Sequence, residues 1–206
     1  MRTSLVILCV ILTLVSCTQS KEEKATEFAK AEVVKILNNA DSYEPVETKV
    51  DSAFTNIHID YEACVAADEL LKLANERESL ESDLLHAKSS AAIWANPYSE
   101  FDREKHRQAK AEMESIAKKI GDNEKEIEAQ KEIIQKRNKE LKQGEFCGWA
   151  IQHSFRCTNG LGVKQLHGIV LIADEKFENL LLRFLTDEDE AENIKQIQEV
   201  IDEVID

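Results

Sequence analysis

Five histidines and five cysteines are the side chains of this 206-residue chain best suited to metal or nucleophilic chemistry. Catalysis needs such a group held beside a base in a cleft that excludes water. The chain has no G-x-S-x-G elbow, no H-E-x-x-H pair, no phosphate-cradling glycine loop and no dinucleotide fingerprint. The histidines are His58, His86, His106, His153 and His167. His86 and His106 occupy different sides of the helical patterns that carry them, which disfavours a shared metal. Cys9 and Cys17 lie near the N-terminus, leaving Cys64, Cys147 and Cys157, an odd set with no C-x-x-C. Cys147 and Cys157 sit ten residues apart in one extended segment, about 33 Å at strand rise, too far for a disulfide. These thiols read as small buried hydrophobes. No enzyme activity, metal or cofactor is expected.

A second group of residues concerns binding. Trp94, Pro97, Tyr98 and Phe101 crowd one corner of the sequence. They are either a hydrophobic cap that pins a turn or a recognition patch for another protein. With 40 acidic against 26 basic residues the net charge is −14, which repels phosphate backbones and argues against nucleic acid.

At the N-terminus Arg2 precedes an apolar run from Leu5 to Val15, followed by Ser16-Cys17 and a polar stretch. Eleven apolar residues fall short of the roughly 20 that span a bilayer. A positive start, a short apolar centre and a small residue at the end describe a secretory signal. Leu14-Val15-Ser16-Cys17 resembles the lipobox of bacterial lipoproteins, which implies cleavage before Cys17 and acylation of its thiol. Such acyl chains hold a protein to the bilayer at about 0.8 kcal/mol per buried CH₂. Lys21-Glu22-Glu23 resembles the short signal that sends some Bacteroidetes lipoproteins to the outer face of the outer membrane; the same residues also read as a solvated helix start.

The remaining pattern describes the elements that position these groups. Apolar spacing over 23–38 predicts an amphipathic helix, and alternation from Tyr43 to Phe54 predicts a strand with Val46, Thr48, Val50 and Phe54 on its inner side. From Asp60 to Trp94 a heptad seam runs through Ala63, Ala66, Leu70, Leu73, Arg77, Leu80, Leu84, Ala87, Ala91 and Trp94. After Pro97 a second runs through Ala109, Met113, Ile116, Ile120, Asn123, Ile127, Gln130, Ile134, Arg137 and Leu141. The two fold back as an antiparallel arm about 52 Å long, with Leu80 near Ile116. Phe146 to Cys157 alternates again, and Asn159-Gly160 predicts a two-residue hairpin turn. That register sets residue i opposite 319 − i, turns Leu166, Val170 and Ile172 inward and places His153 and His167 on opposite faces. A third strand over Phe177 to Leu185 completes a meander that the first strand can join. Thr186 then opens a last helix in a segment, 186–206, with nine acids and one base.

Leu37 to Thr48 (LNNADSYEPVET) and Ala87 to Tyr98 (AKSSAAIWANPY), with the strand, NG turn and strand that follow, resemble a group of small Bacteroidetes lipoproteins. That group has Pro where this chain has Ala40. The resemblance implies an envelope address and a fold, with no catalytic residue attached. The expected fold is therefore α+β: a small antiparallel meander with N- and C-terminal helices and a long inserted helical hairpin. The expected organisation is a signal peptide over 1–16, a lipid-anchored tether over 17–24, a head of 25–57 and 144–206, and an arm of 58–143. The leading expectation for function is an outer-membrane lipoprotein, displayed at the surface, that acts as a structural or protein-interaction module. Its partners would be the bilayer, through acylated Cys17, and another envelope protein, through the arm. The alternative is a ligand-binding or hydrolytic head with a pocket between sheet and helices. Replacing Cys17 by Ala should release the protein from the membrane fraction or leave it unprocessed. A radiolabelled fatty acid that still marks the variant would count against acylation there.

Overall fold

Ser20 caps helix α1, Lys21–Val34: its hydroxyl accepts from the Glu23 amide while the Glu23 carboxylate accepts from the Ser20 amide. The computed structural model describes residues 19–206. Cys17 and the signal expected over 1–16 lie outside the described residues. Helix α1 buries Ala25, Phe28, Ala29 and Val33. It takes in the last residues expected to be tether and stops at Val34, about one turn before the expected end.

The chain continues with a 3-10 turn Ala40–Ser42, strand β1 Glu44–Phe54, a 3-10 turn Ile57–Ile59, helix α2 Tyr61–Ile93, helix α3 Glu100–Glu140, strands β2 Phe146–Thr158, β3 Lys164–Ala173 and β4 Leu180–Leu185, and helix α4 Glu188–Ile205. The four strands form one antiparallel sheet in the order β1-β2-β3-β4. The fold is α+β, as expected, with the helical hairpin inserted between β1 and β2. Two compact units divide the chain: residues up to Ser52 with Gly148–Leu180, and Ala53–Cys147 with Leu181–Asp206.

In the first unit the observed register corrects the expected one. Thr158 pairs with Lys164 and Ile151 with Leu171, so partners sum to 322 rather than 319. The connection is a five-residue loop, 159–163, not a two-residue turn. Asn159 organises it: its side-chain oxygen accepts from the Leu161 and Val163 amides, while Gly162 at φ 78° supplies the left-handed residue. A slip of three residues exchanges the faces of β3. Ile169 and Leu171 therefore point inward and are buried, whereas Leu166, expected inside, is 63% exposed. His167, paired with Phe155, shares the face of His153 instead of opposing it.

Gly148 sits at φ 147°, and a Cβ built there would lie 1.9 Å from the Ala173 carbonyl oxygen. Next to this close approach the turn from Asp174 to Asn179 is held by the Asp174 carboxylate. It accepts from the Lys176 and Glu178 amides and from the Asn179 side chain at 3.2, 2.8 and 2.6 Å. Those donors hold the carboxyl below the usual carboxylate range, led by the Glu178 amide. Phe177 takes a left-handed backbone, φ 60°, and its ring stacks parallel to Trp149. Phe28 of α1 meets the Phe177 ring, and Lys21 lies 4.4 Å from the centre of the Trp149 ring, so this cluster fastens α1 to the sheet.

In the second unit the antiparallel pair α2 and α3 follows the expected seams. Leu80, Ala87 and Ile116 are buried together, with Leu84, Met113 and Ile120 against them. Asp60 caps α2 at the Ala63 amide and Ser99 caps α3 at the Asp102 amide. Two expectations are corrected here. Phe54 is exposed while Ala53 is buried, because the alternation of β1 slips after Ser52. The last helix, α4, packs on α2, α3 and the 3-10 turn Ile57–Ile59 and falls in the same compact unit as the two long helices. Its cap is Asp187 rather than Thr186.

Gly148→Ala should lower stability by at least about 3 kcal/mol, since backbone must move to admit the methyl. Gly160→Ala, with nothing within 4 Å of its added Cβ, should stay within about 0.5 kcal/mol. Urea denaturation of the two variants separates these outcomes.

Candidate functional site

The arm tip is built by six residues, Trp94 to Ser99, that reverse the chain between α2 and α3. Trp94 ends α2, its amide donating to the Ser90 and Ala92 carbonyls. Asp102 then ties down the entry to α3. Its carboxylate accepts from the Tyr98 and Ser99 amides at 3.1 and 2.9 Å, and its own amide donates to the Ser99 hydroxyl. The Ser99 bonds hold the Asp102 carboxyl below the usual range. His106 bridges the two helices through Nδ1, 3.2 Å from the Ala91 carbonyl.

This frame separates the three aromatic residues. Trp94 is half-buried and meets Phe101 edge to face, ring centres 6.1 Å apart. Phe101 remains 62% exposed, with the Lys105 ammonium 5.6 Å from its ring centre. Tyr98 is 95% exposed and Ile93 75%. Trp94 supports the turn, while Tyr98, Ile93 and most of Phe101 face water. Their exposure is decided by the length of the rod, which offers no neighbouring element at its end.

His153 tests the alternative of a reactive head. It is 1% exposed, with Nε2 2.8 Å from the Tyr43 hydroxyl and Nδ1 2.9 Å from the Thr48 hydroxyl. A neutral imidazole has one donor and one acceptor, and two hydroxyls satisfy both. Burial pushes its pKa below 6.5, against a backbone hydrogen bond at Glu47 that pulls upward, and burial also raises the Tyr43 phenol. The ring lies in a stack, with Tyr43 and Phe155 beside it and His167 beyond Phe155. The inner partners of His153 are hydroxyls and rings, with no acid among them, so the group is built to stay neutral. Sequence reading found the inward side of His153 but missed Tyr43 and Thr48. The Tyr43-to-Thr48 alternation was the signal that could have placed Thr48 opposite it.

The base of the arm holds a second, half-buried polar pair. Arg137 binds Asp60 through Nε and Nη2 at 3.0 and 2.6 Å. Burial raises the Asp60 carboxyl, but the Arg137 bond and charge, with the Ala63 amide, leave it below the usual range. The Cys64 thiol beside it is pushed up to about 11 by burial and by the Asp60 charge, which makes it unreactive. A cavity of about 230 Å³ opens nearby, lined by Ile59, Tyr61, Leu141, Cys147 and Leu181 with Thr55, Asn56 and Asp60. The Asn56 amide, the Thr55 hydroxyl and Asp60 already have partners within the protein, so the walls offer mainly apolar contact. Among the described residues there is no group of three His, Cys, Asp or Glu side chains placed to hold a metal, and no helix long and apolar enough to cross a membrane.

No protein-family model matches the chain, and neither the curated proteins nor the solved structures contain a match.

The neutral His153 yields a pH dependence. Its folded pKa lies below its unfolded value of 6.5, so below that pH the unfolded chain binds a proton that the folded chain refuses. Stability should fall as pH drops from 6.5 toward the folded value, by up to about 1.4 kcal/mol per pH unit. His153→Gln should be less stable at pH 7 but show a flatter slope across that window in urea titrations. An unchanged slope would remove His153 as its source.

Proposed function

We propose that this chain is a lipid-anchored envelope protein whose helical arm presents its tip to another protein. The observation that carries the reading is the exposure of Tyr98, Phe101 and Ile93 at the end of a paired helical rod whose turn is held by its own caps. Exposed large rings grouped on rigid backbone are the residues that dominate binding energy when a partner covers them. The turn does not need Tyr98 for its own hydrogen bonding beyond the backbone amide, so the side chain is available for contact. The anchor is acylated Cys17, on the lipobox pattern of Leu14 to Cys17. The location proposed is the outer membrane, with display at the surface suggested by Lys21-Glu22-Glu23. No enzymatic role is proposed, because the buried histidine has hydroxyl partners and the base cavity is walled by satisfied polar groups.

Tyr98→Ser with Phe101→Ser should abolish cross-linked partner recovery from intact cells and leave helix content by circular dichroism unchanged, because the seam from Leu70 to Ile116 is untouched. Loss of helicity along with recovery would make the rings a structural cap. Unchanged recovery would remove the tip as the contact.

A further inference from the structure

The same unit that carries the aromatic tip carries, at its other end, an apolar groove beside the acidic helix α4. Tyr61 stands between the cavity of about 230 Å³ and a second trough of about 280 Å³ floored by Val65, Ala66 and Ile133. Tyr61 and Val65 are themselves exposed. Together they make an apolar groove at the foot of α2. One wall of it is Ile59, in the 3-10 turn on which α4 packs. His58 of that turn bonds the Asp202 carboxylate of α4 at 2.9 Å. The segment 186–206 has nine acids against one base. At the tip the sign reverses: residues 84–111 have five Lys and Arg against three acids. Glu100 and Glu104 are engaged by Arg103 and Arg107, whereas Lys88, Lys105 and Lys110 form no ion pair among the described residues.

Tip and groove cannot meet within one chain, since the 33 residues of α2 hold them about 50 Å apart at 1.5 Å per residue. We propose that the groove at the foot of the arm receives the arm tip of a second copy of this chain, with Tyr98 or Phe101 entering the cavity and Lys88, Lys105 and Lys110 facing the acidic α4. The inference rests on the reading of the tip as a partner contact and names that partner. Because the two surfaces differ, the contact is head to tail and repeats from copy to copy as an open row or a ring. Charges of opposite sign at the two ends steer this orientation and oppose tip-to-tip or base-to-base encounters. Chains held by lipid on one surface would meet at high effective concentration, so a contact that is weak in dilute solution suffices there.

The test uses the full chain in detergent, followed by sedimentation velocity over a concentration series. Mass should rise with concentration at low salt, and the rise should weaken strongly between about 0.05 and 0.5 M salt as screening shortens. A tip variant (Lys88→Glu, Lys105→Glu, Lys110→Glu) and a base variant (Glu192→Lys, Glu199→Lys, Glu203→Lys) should each require at least about tenfold higher concentration to associate. Mixing the two should restore association, because each then offers the end that the other lacks. Wild-type protein that stays monomeric throughout, or a mixture that fails to associate while wild type does, would overturn the proposal. Cross-linking in cells keeps the two readings apart. If recovery of a different protein depends on Tyr98 and Phe101 while the purified chain stays monomeric, the tip contact stands and self-association falls. If neither occurs, both fall.

Discussion

Neither long helix can bury its apolar stripe without the other, and this mutual dependence organises the second unit. The seams of α2 and α3 are two residues in seven wide, too narrow to face water along 33 and 41 residues without a partner. Their pairing is specified as well as stabilised. Buried Asn123 donates to the Leu73 carbonyl at 3.1 Å, while its Oδ1 has no partner among the described residues. Such an orphan costs about 1–3 kcal/mol. A polar residue in an apolar seam penalises every register in which its donor also goes unpaired. Arg77, the charge that interrupts the first seam, leans outward to Glu81 and Glu124, and so stiffens the pair across the helices. At the foot, Arg137 joins the cap of α2 to the last turn of α3.

The first unit solves a different problem, that of fixing α1 and its strands against one another. It does so through close backbone approach at Gly148 and Ala173, through a turn saturated by Asp174, and through a left-handed Phe177 whose ring is covered by Trp149 and Phe28. A non-glycine residue at positive φ persists only where its surroundings over-determine it. The Trp149 indole, donating to the Glu175 carbonyl, is part of that determination. The neutral His153 between Tyr43 and Thr48 supplies the remaining specificity, joining the segment at β1 to the centre of β2 by hydrogen bonds that a register slip would break.

The rigidity of the paired helices decides what the tip exposes. A rod held by a seam and closed by caps at both ends keeps its terminal rings away from any surface of its own unit that could cover them. Charge is distributed unevenly as well, with five Lys and Arg against three acids over residues 84–111 and nine acids against one base over 186–206, the segment of α4. The exposed rings at the tip and the apolar groove at the foot stand apart from the hydrogen-bonded groups, His153 and Asp60 among them, that hold the fold.

The sequence determined what depends on local period and on capping. Asp60 and Trp94 bound α2 as its apolar spacing indicated, because caps and heptads act over a few residues. The inward face of β2 and the aromatic residues at the corner were legible for the same reason. The tertiary structure decided the register of β3, whose residues from Leu166 to Ala173 are apolar on both faces, so that alternation could not choose between them. An Asn-Gly pair suggested a two-residue turn; the left-handed Gly162 and the two amides taken by Asn159 made the loop three residues longer. The tertiary structure also decided which polar groups pair. Asp60 finds Arg137 across 77 residues and Tyr43 finds His153 across 110, distances over which no periodic signal carries, because only the folded chain brings those groups within hydrogen-bond reach.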